Sequence, residues 1–154
     1  MKIGVPKEIK PQENRIGLTP DSVKTLTSNG HEVLVENDGG FEAGFDNNQY
    51  KSAGAKIIDK AEDIFNDAEI IVKVKEPLSN EVKMLRENQI VFTYLHLAAA
   101  KELTKGLVDS KAVCIAYETV TDNNGRLPLL APMSAVAGRM SVQAGAHCLE
   151  KNQK

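Results

Sequence analysis

Short apolar runs alternate with helix-like segments along the whole chain, and this alternation constrains the fold most. The clearest run covers residues 68–75 and is apolar with little polar alternation. Such a run is typical of a strand that is buried on both faces of a sheet. Strand–helix–strand order predicts an α/β fold, with a mostly parallel sheet, right-handed crossovers and helices on both faces.

The local signals divide the chain into six strands and six helical segments. Strands are predicted at residues 3–5, 31–36, 55–58, 68–75, 90–95 and 111–116. Helices are predicted after the N-caps Thr19 and Asp46, at 61–65, from Ser79 to about 87, at 101–109 and at 134–151. The segment Asp122-Asn123-Asn124-Gly125 is a strong turn signal and predicts a hairpin tip.

The last predicted helix, 134–151, is unusually rich in small residues. Ala137, Ser141 and Gly145 fall at i, i+4 and i+8, so they form one stripe. A glycine inside a helix costs about 1 kcal/mol relative to alanine, so Gly138 and Gly145 indicate a packing reason. Two interpretations stay open: a helix lying tightly on its own sheet, or a helix at a subunit or domain interface.

Composition and charge exclude several functional classes. The net charge is −2 and the basic residues are scattered, which argues against a nucleic-acid partner. No apolar run approaches the roughly 20 residues of a membrane helix, and the N-terminus has no signal-peptide pattern. We therefore expect a cytoplasmic protein without a membrane partner.

The two cysteines, Cys114 and Cys148, are expected to be buried, reduced thiols. A disulfide between them is the minor alternative. No Cys or His residues show the spacing of metal ligands, so no metal site is predicted.

Basic residues follow three of the predicted strands and carry the main functional signal. Lys75 and His96 end two apolar runs, and Arg15 lies in the polar loop after the first strand. An α/β sheet presents its chemistry at the carboxyl ends of its strands. These three cations therefore predict a site for a small anionic ligand.

Each of these residues also has an ordinary structural interpretation. The guanidinium of Arg15 matches a carboxylate with two parallel hydrogen bonds. Spacing alone favours the alternative, a solvated surface arginine that could pair with Glu8 or Glu13. Lys75 shares a strand face with Lys73, and both side chains could extend to water.

Histidine has a pKa near 6.5, which suits proton transfer near neutral pH. His96 is therefore a candidate acid/base group, although a structural rim histidine is the alternative. His31 and His147 have no comparable setting and are interpreted as structural. The glycine-rich stretch at residues 37–45 matches neither G-x-G-x-x-G nor a Walker A motif, so no phosphate loop is predicted.

Five segments of the sequence are long and specific: MKIGVPKEIKPQENRIGLTP, VKVKEPL, YLHLAAA, YETV and LPLLAPMSAVAGRMSVQAGAHCLEK. They resemble the N-terminal part of bacterial alanine dehydrogenases, in the alanine dehydrogenase/pyridine nucleotide transhydrogenase family, and the similarity extends over the whole chain. That family catalyses the reversible NAD-dependent oxidative deamination of L-alanine to pyruvate and ammonia. The related transhydrogenase subunit does not carry the lysine and histidine of VKVKEPL and YLHLAAA, so these motifs favour the dehydrogenase.

The resemblance implies roles for individual residues. Arg15 would bind the substrate carboxylate, Lys75 the carboxylate or carbonyl end of pyruvate, and His96 would act as general acid/base. Four further residues would lie around the pocket: Glu8, Tyr94, Glu118 and Met133. Ser134 would approach the nicotinamide end of bound NAD.

The resemblance also implies a domain arrangement. Residues 1–133 would form a Rossmann-like substrate-binding domain that lacks the NAD-binding fingerprint, and residues 134–154 would lead toward an NAD-binding domain that the sequence does not contain. We expect such a truncated chain to be inactive alone and to form homo-oligomers through the 134–151 helix. Two alternatives stay open: a stand-alone 2-oxo-acid binding or regulatory module, and a transhydrogenase-like subunit.

Overall fold

A parallel sheet runs through the first part of the chain in the computed structural model, which describes residues 1–151. Its six strands lie in the order β3-β2-β1-β4-β5-β6. The strands are β1 (Lys2–Val5), β2 (Glu32–Glu36), β3 (Lys56–Ile58), β4 (Ile70–Val72), β5 (Ile90–Thr93) and β6 (Val113–Ala116). The helices are α1 (Pro20–Ser28), α2 (Asn47–Ser52), α3 (Ala61–Asp67), α4 (Ser79–Val82), α5 (Lys101–Ser110) and α6 (Ala131–Cys148). The chain separates into two compact units, Met1–Ala116 and Tyr117–Lys154.

Every pair of neighbouring strands is parallel, which confirms the predicted α/β class. Side chains of a strand alternate between the two faces of the sheet. Val33 and Val35 of β2 pack into one core cluster with Val23 of α1. Leu34, between them, packs into a second cluster that includes Ile64 of α3. The sheet is therefore covered by helices on both faces, as predicted.

The predicted N-caps Thr19 and Asp46 are confirmed, whereas the last helix begins at Ala131, three residues before its predicted start. Thr19 Oγ1 accepts a hydrogen bond from Ser22 N at 3.3 Å, and Pro20 begins α1. Asp46 Oδ1 accepts from Gln49 N at 2.9 Å, while Gln49 Oε1 accepts from Asp46 N at 2.8 Å. Such reciprocal bonds satisfy donors at the helix terminus that have no intrahelical partner.

Two predicted elements are shorter in the structure. The predicted strand 68–75 is regular only over Ile70–Val72. The predicted helix from Ser79 to about 87 begins at Ser79, with Leu78 as N-cap, and ends at Val82. The chain after α4 is held by tertiary bonds: Arg86 Nη2 and Gln89 Nε2 donate to the carbonyl oxygen of Ala68 at 2.7 and 2.8 Å. After Val82, these hydrogen bonds to Ala68 at the end of α3 hold the chain in place of further helical hydrogen bonds.

The second unit departs further from prediction. The predicted turn is present, because Gly125 N donates to Asp122 O at 3.0 Å with a φ of 74° at Gly125. No strand flanks this turn within the described residues, so the hairpin prediction is wrong.

Helix α6 spans Ala131–Cys148, and no residue over that span is buried. A Cβ built on Gly138 or Gly145 meets nothing within 4 Å, so the packing reason expected for these glycines is not found. Cys148 is exposed, which corrects the expected burial, whereas Cys114 is half-buried and burial raises the pKa of its thiol. Both cysteines are free.

Residues 152–154 of the predicted C-terminal segment lie outside the described part of the chain. Among residues 1–151, no helix is long and apolar enough to cross a membrane.

Candidate functional site

Three chain segments leave the sheet side by side at its carboxyl edge. They follow β1, β4 and β5, which are neighbours in the strand order. The strand order reverses between β1 and β4, because β1 continues to β2 on one side and to β4 on the other. Ligands of open α/β sheets bind outside the carboxyl ends of the strands at such a switch point. The predicted residues Arg15, Lys75 and His96 all lie on these three segments.

The loop after β1 passes directly over the end of β4. A Cβ on Gly17 would lie 2.6 Å from the carbonyl oxygen of Val72 and 3.2 Å from Lys73 N. Only glycine therefore fits this close approach without displacement of the loop. Because Arg15 lies two residues earlier, this contact restrains the backbone position of Arg15.

A buried ion cluster lies beneath that loop and is formed by Glu8, Lys73 and Glu81. Lys73 Nζ lies 3.2 Å from Glu8 Oε2 and 2.8 Å from Glu81 Oε1, and the three side chains are 1%, 2% and 3% exposed, respectively. Glu81 Oε2 also accepts from Leu78 N at 2.8 Å at the start of α4. Lys73 does not extend to water, so that interpretation of the lysine pair is wrong for Lys73.

The same Glu8 carboxylate holds the backbone of the segment that carries Lys75. Its Oε1 accepts from Val74 N at 2.6 Å and from Lys75 N at 3.4 Å. On the other side, Thr93 Oγ1 donates to the carbonyl oxygen of Lys75 at 3.0 Å. The half-buried Lys75 is therefore positioned by the segment after β1 and by the last residue of β5 together.

The guanidinium of Arg15 forms a two-point ion pair with Glu13. Nε donates to Oε1 at 2.7 Å and Nη2 to Oε2 at 2.6 Å. The hydrogen bond to Glu13 raises the pKa of Arg15, with a smaller contribution from the charge of Glu8. The hydrogen bond from Arg15 in turn lowers the pKa of Glu13 against the effect of burial, and the charge of Lys75 adds to this. These effects indicate that the charged side chains of Glu8, Glu13, Arg15 and Lys75 lie in one electrostatic environment.

His96 lies at the end of the segment after β5 and contacts two side chains, Glu76 and Tyr94. Its Nδ1 lies 3.2 Å from Glu76 Oε2, and its ring stacks on Tyr94 with centroids 6.0 Å apart and planes at 23°. Glu76 also forms an ion pair with Lys10, from the loop after β1. All three segments thus meet at this point.

The predicted site residues therefore divide between the two units. Five of them lie on the three segments described above: Glu8, Arg15, Lys75, Tyr94 and His96. Glu118 lies in a short 3₁₀ turn, Tyr117–Thr119, of the second unit. Met133 and Ser134 lie in the first turn of α6, where Met133 is 38% exposed and Ser134 N donates to Leu130 O at 3.1 Å.

Sequence reasoning missed Glu76, the carboxylate that contacts His96 and Lys10 at this edge. An acid that directly follows a candidate cation, as Glu76 follows Lys75, is the signal that would have found it. Of the two acids that the sequence offered as partners of Arg15, the structure pairs Glu13 with its guanidinium. The described residues 1–151 contain no group of three His, Cys, Asp or Glu side chains that could hold a metal ion.

The fold and its charged carboxyl edge define a doubly wound α/β domain. The family model for "Alanine dehydrogenase/PNT, N-terminal domain" matches residues 4–137, so the chain belongs to that family.

Similar proteins agree with this assignment. An alanine dehydrogenase from Halomonas elongata is 56% identical over 99% of this chain, and one from Bacillus subtilis is 55% identical over 98%. The chain spans 41% and 39% of the length of these curated relatives. A solved L-alanine dehydrogenase matches with a TM-score of 0.92 and 53% identity over 99% of this chain and 42% of its own. A transhydrogenase from Sinorhizobium meliloti matches with a TM-score of 0.72 and 27% identity over 77% of this chain and 35% of its own.

Proposed function

We propose that this chain is the substrate-binding part of an NAD-dependent alanine dehydrogenase, which converts L-alanine reversibly to pyruvate and ammonia. The observation that carries the proposal is the convergence of the segments bearing Arg15, Lys75 and His96 at the switch point of the sheet. The similarity to alanine dehydrogenases over nearly the whole chain supports the same reaction.

The proposed binding of pyruvate follows from charge and geometry. Arg15 holds the carboxylate, because the planar fork of a guanidinium matches two carboxylate oxygens. Lys75 binds the carboxylate or carbonyl end as a compact point charge. Glu8 and Tyr94 lie beside the substrate, and Glu8 contributes mainly by holding the backbone of Lys75. The roles expected for Glu118 and Met133 rest on the family resemblance.

In the proposed chemistry, His96 acts as general acid/base. In the direction of amination, its protonated ring donates to the carbonyl oxygen of pyruvate, and in the reverse direction its neutral ring accepts the proton. Bound NAD would supply the hydride acceptor, with Ser134 near the nicotinamide.

The loop between β1 and α1 does not fit the pyrophosphate of a dinucleotide. In a dinucleotide-binding fold, a tight G-x-G-x-x-G turn between the first strand and helix holds the pyrophosphate. Here β1 and α1 are joined by the loop 6–19, which has one glycine and carries Arg15. We therefore propose that this unit is adapted to the substrate, and that the chain alone produces no NADH from L-alanine.

Titration of pyruvate into the isolated chain, followed by NMR or calorimetry, tests the proposed pocket. We expect Arg15→Ala and Lys75→Ala each to weaken binding by about 10–100-fold, because a hydrogen bond to a charged group is worth about 1.5–3 kcal/mol. Lys24→Ala and Arg126→Ala, at exposed positions of the chain outside these three segments, are the matched controls. Equal affinity of all five proteins would contradict the proposal.

An absorbance assay with L-alanine and NAD tests the second part of the proposal. We expect no NADH from the purified chain, even where pyruvate binds. Alanine-dependent NADH formation would refute the proposed inactivity without affecting the binding site.

We also propose that the chain is cytoplasmic and self-associates through the 134–151 helix. Val136, Met140 and Val142 of α6 are 55%, 58% and 75% exposed, which is a large apolar fraction for a helix in water. Free thiols at Cys114 and Cys148 are consistent with a reducing compartment. Met140→Lys should shift a concentration-dependent sedimentation profile toward the monomer, whereas a monomeric wild type at all concentrations would contradict self-association.

A second candidate function is a 2-oxo-acid binding module without a redox step. The glycine-poor loop 6–19 favours it, since this loop offers an arginine in place of a phosphate cradle. The reading frame downstream of residue 154 separates the two: a dinucleotide-binding frame supports the dehydrogenase, a stop codon the module, and membrane segments a transhydrogenase-like subunit.

A further inference from the structure

The contact between Glu76 and His96 orients the ring that the proposed chemistry needs. Glu76 Oε2 lies 3.2 Å from His96 Nδ1, within hydrogen-bond distance. A carboxylate only accepts hydrogen bonds, so Nδ1 has to carry the proton for this bond to form. In a neutral imidazole one nitrogen carries the proton, which makes Nε2 the basic nitrogen.

The geometry points to Glu76 as the positioning residue of the site: it keeps the proton of neutral His96 on Nδ1 and so presents Nε2 for proton exchange with the substrate. This inference rests on the proposed role of His96 as acid/base. Glu76 takes no part in the bond changes. It selects the tautomer and stabilises the imidazolium when His96 is protonated.

The surroundings of Glu76 keep it ionised, as this role requires. Lys10 Nζ contacts its Oε1, while His96 uses Oε2. Burial raises the pKa of Glu76, but the hydrogen bonds from Lys10 and His96 outweigh that effect, and the net pKa is lowered. The side chain is 17% exposed, so water screens these contacts only in part.

The ring of His96 is restrained from its other sides as well. His96 has a left-handed backbone, with φ 51° and ψ 39°, which is sparsely populated for residues other than glycine. Its ring also stacks on Tyr94. Strained backbone that the surroundings hold in place is concentrated at functional sites.

The position of Glu76 is coupled to that of Lys75 by the chain itself. The backbone of Lys75 is held by Glu8 and by Thr93. Because Glu76 is the next residue, the proposed substrate cation and the acid that orients His96 are placed by the same short segment. The motif VKVKEPL therefore carries one residue for binding and a second for positioning.

Nitrogen-15 NMR of the histidine side chains in the 154-residue chain tests the inference directly. At a pH where the ring is neutral, we expect His96 to be mainly the Nδ1–H tautomer, whereas an unrestrained imidazole in water favours Nε2–H. His96→Gln assigns the signal among the three histidines. A wild-type His96 that is mainly Nε2–H overturns the inference, and this outcome needs no variant to fold.

Two variants then separate positioning from a general structural effect. Glu76→Leu should convert His96 to the Nε2–H form, while Glu76→Gln, which keeps an acceptor oxygen, should retain Nδ1–H. Glu87→Gln is the matched control, because that acid forms an exposed pair with Lys111 at 3.5 Å. His147, paired with Glu150 at 3.5 Å, reports changes unrelated to Glu76. An unchanged His96 tautomer in folded Glu76→Leu overturns the inference.

Pyruvate titration of the same variants separates this inference from the proposed function. We expect Glu76→Leu to change the affinity by less than about 3-fold, because Arg15 and Lys75 hold the carboxylate. A loss of affinity as large as in Lys75→Ala would assign Glu76 to binding and overturn the positioning role. Absence of pyruvate binding in the wild type would refute the proposed function and leave the tautomer measurement valid.

Discussion

Two charged clusters lie at the same edge of the sheet, one closed to water and one open. In the buried cluster of Glu8, Lys73 and Glu81, no side chain is more than 3% exposed. In the open cluster of Lys10, Glu76 and His96, exposure ranges from 17% to 54%. The buried cluster holds backbone in place, and the open cluster leaves a titratable ring accessible to solutes.

The difference is physical, because burial changes what a charge costs. An ion taken out of water loses its hydration, and only well-placed partners offset that loss. Lys73 therefore depends on both of its carboxylates. In the open cluster, water screens each charge, so a single pair contributes little to stability. At this edge, the buried cluster therefore stabilises the backbone, while the open cluster exposes the candidate acid/base group His96.

Removal of the Lys73 ammonium from the buried cluster is expected to have the largest effect on stability. We expect Lys73→Met to lower the free energy of unfolding by about 3–5 kcal/mol, because two buried carboxylates lose their counterion. For a chain of this size, that corresponds to a decrease in Tm of roughly 6–20 °C. Lys10→Met, in the open cluster, should cost no more than about 1 kcal/mol.

Urea unfolding of both variants measures the two effects on one scale. Lys56→Met serves as a surface control, because Lys56 pairs with Glu32 at 2.7 Å with side chains 68% and 39% exposed. Similar losses in all three variants would contradict the distinction between the clusters.

Displacement of the loop over the buried cluster should have the next largest effect. Gly17→Ala places a methyl group 2.6 Å from the carbonyl oxygen of Val72, so the loop has to move. We expect a loss of about 1–3 kcal/mol, together with weaker pyruvate binding because Arg15 moves with the loop. The matched substitution Gly138→Ala meets nothing within 4 Å in α6 and should stabilise the helix by roughly 0.5–1 kcal/mol. Thermal unfolding compares them, and two changes of the same sign would count against this account.

The smallest expected effect is on the pH dependence of the free energy of unfolding. Removing the charge of Glu13 and of Glu36 should change this free energy in opposite directions. The hydrogen bond from Arg15 lowers the pKa of Glu13, whereas burial raises the pKa of Glu36, both from an ordinary value of 4.5. Near neutral pH we expect Glu13→Gln to be less stable than the wild type, by no more than about 1 kcal/mol because Arg15 is well exposed. Glu36→Gln should be slightly more stable.

The sign follows from proton linkage. The contribution of Glu13 is present above 4.5 and is lost as the pH falls through its lowered folded pKa. For Glu36, the wild type loses stability as the pH rises from 4.5 through its raised folded pKa. Both variants should therefore converge on the wild type in strong acid, as measured by the urea midpoint at several pH values. A constant offset at all pH values would mean that these carboxyl groups do not titrate differently on folding.

The local parts of this structure were predictable from sequence, because their causes are local. Thr19 and Asp46 begin helices, since short polar side chains satisfy exposed amides a few residues ahead. The parallel sheet followed from the alternation of strand and helix signals. The grouping of basic residues at one edge followed from the chain topology once the strands were assigned.

The parts that prediction missed depend on partners far away in sequence. The early end of α4 results from bonds of Arg86 and Gln89 to a carbonyl oxygen about twenty residues earlier. The burial of Lys73 depends on Glu8, 65 residues before it. No local pattern distinguishes a lysine that extends to water from one that is enclosed by two acids. The sequence offered both Glu8 and Glu13 as partners of Arg15, and only the fold decides between them, because Glu8 is used by Lys73 and by the backbone of Val74.

The distance along the chain between Glu8 and Lys73 has a kinetic consequence. Strand β1 has to pair with β4 before this edge exists, and closing so long a segment costs entropy before the contacts form. A compound that binds at this edge therefore finds its site only in the folded chain. We expect such a compound to slow unfolding and to leave the refolding rate unchanged.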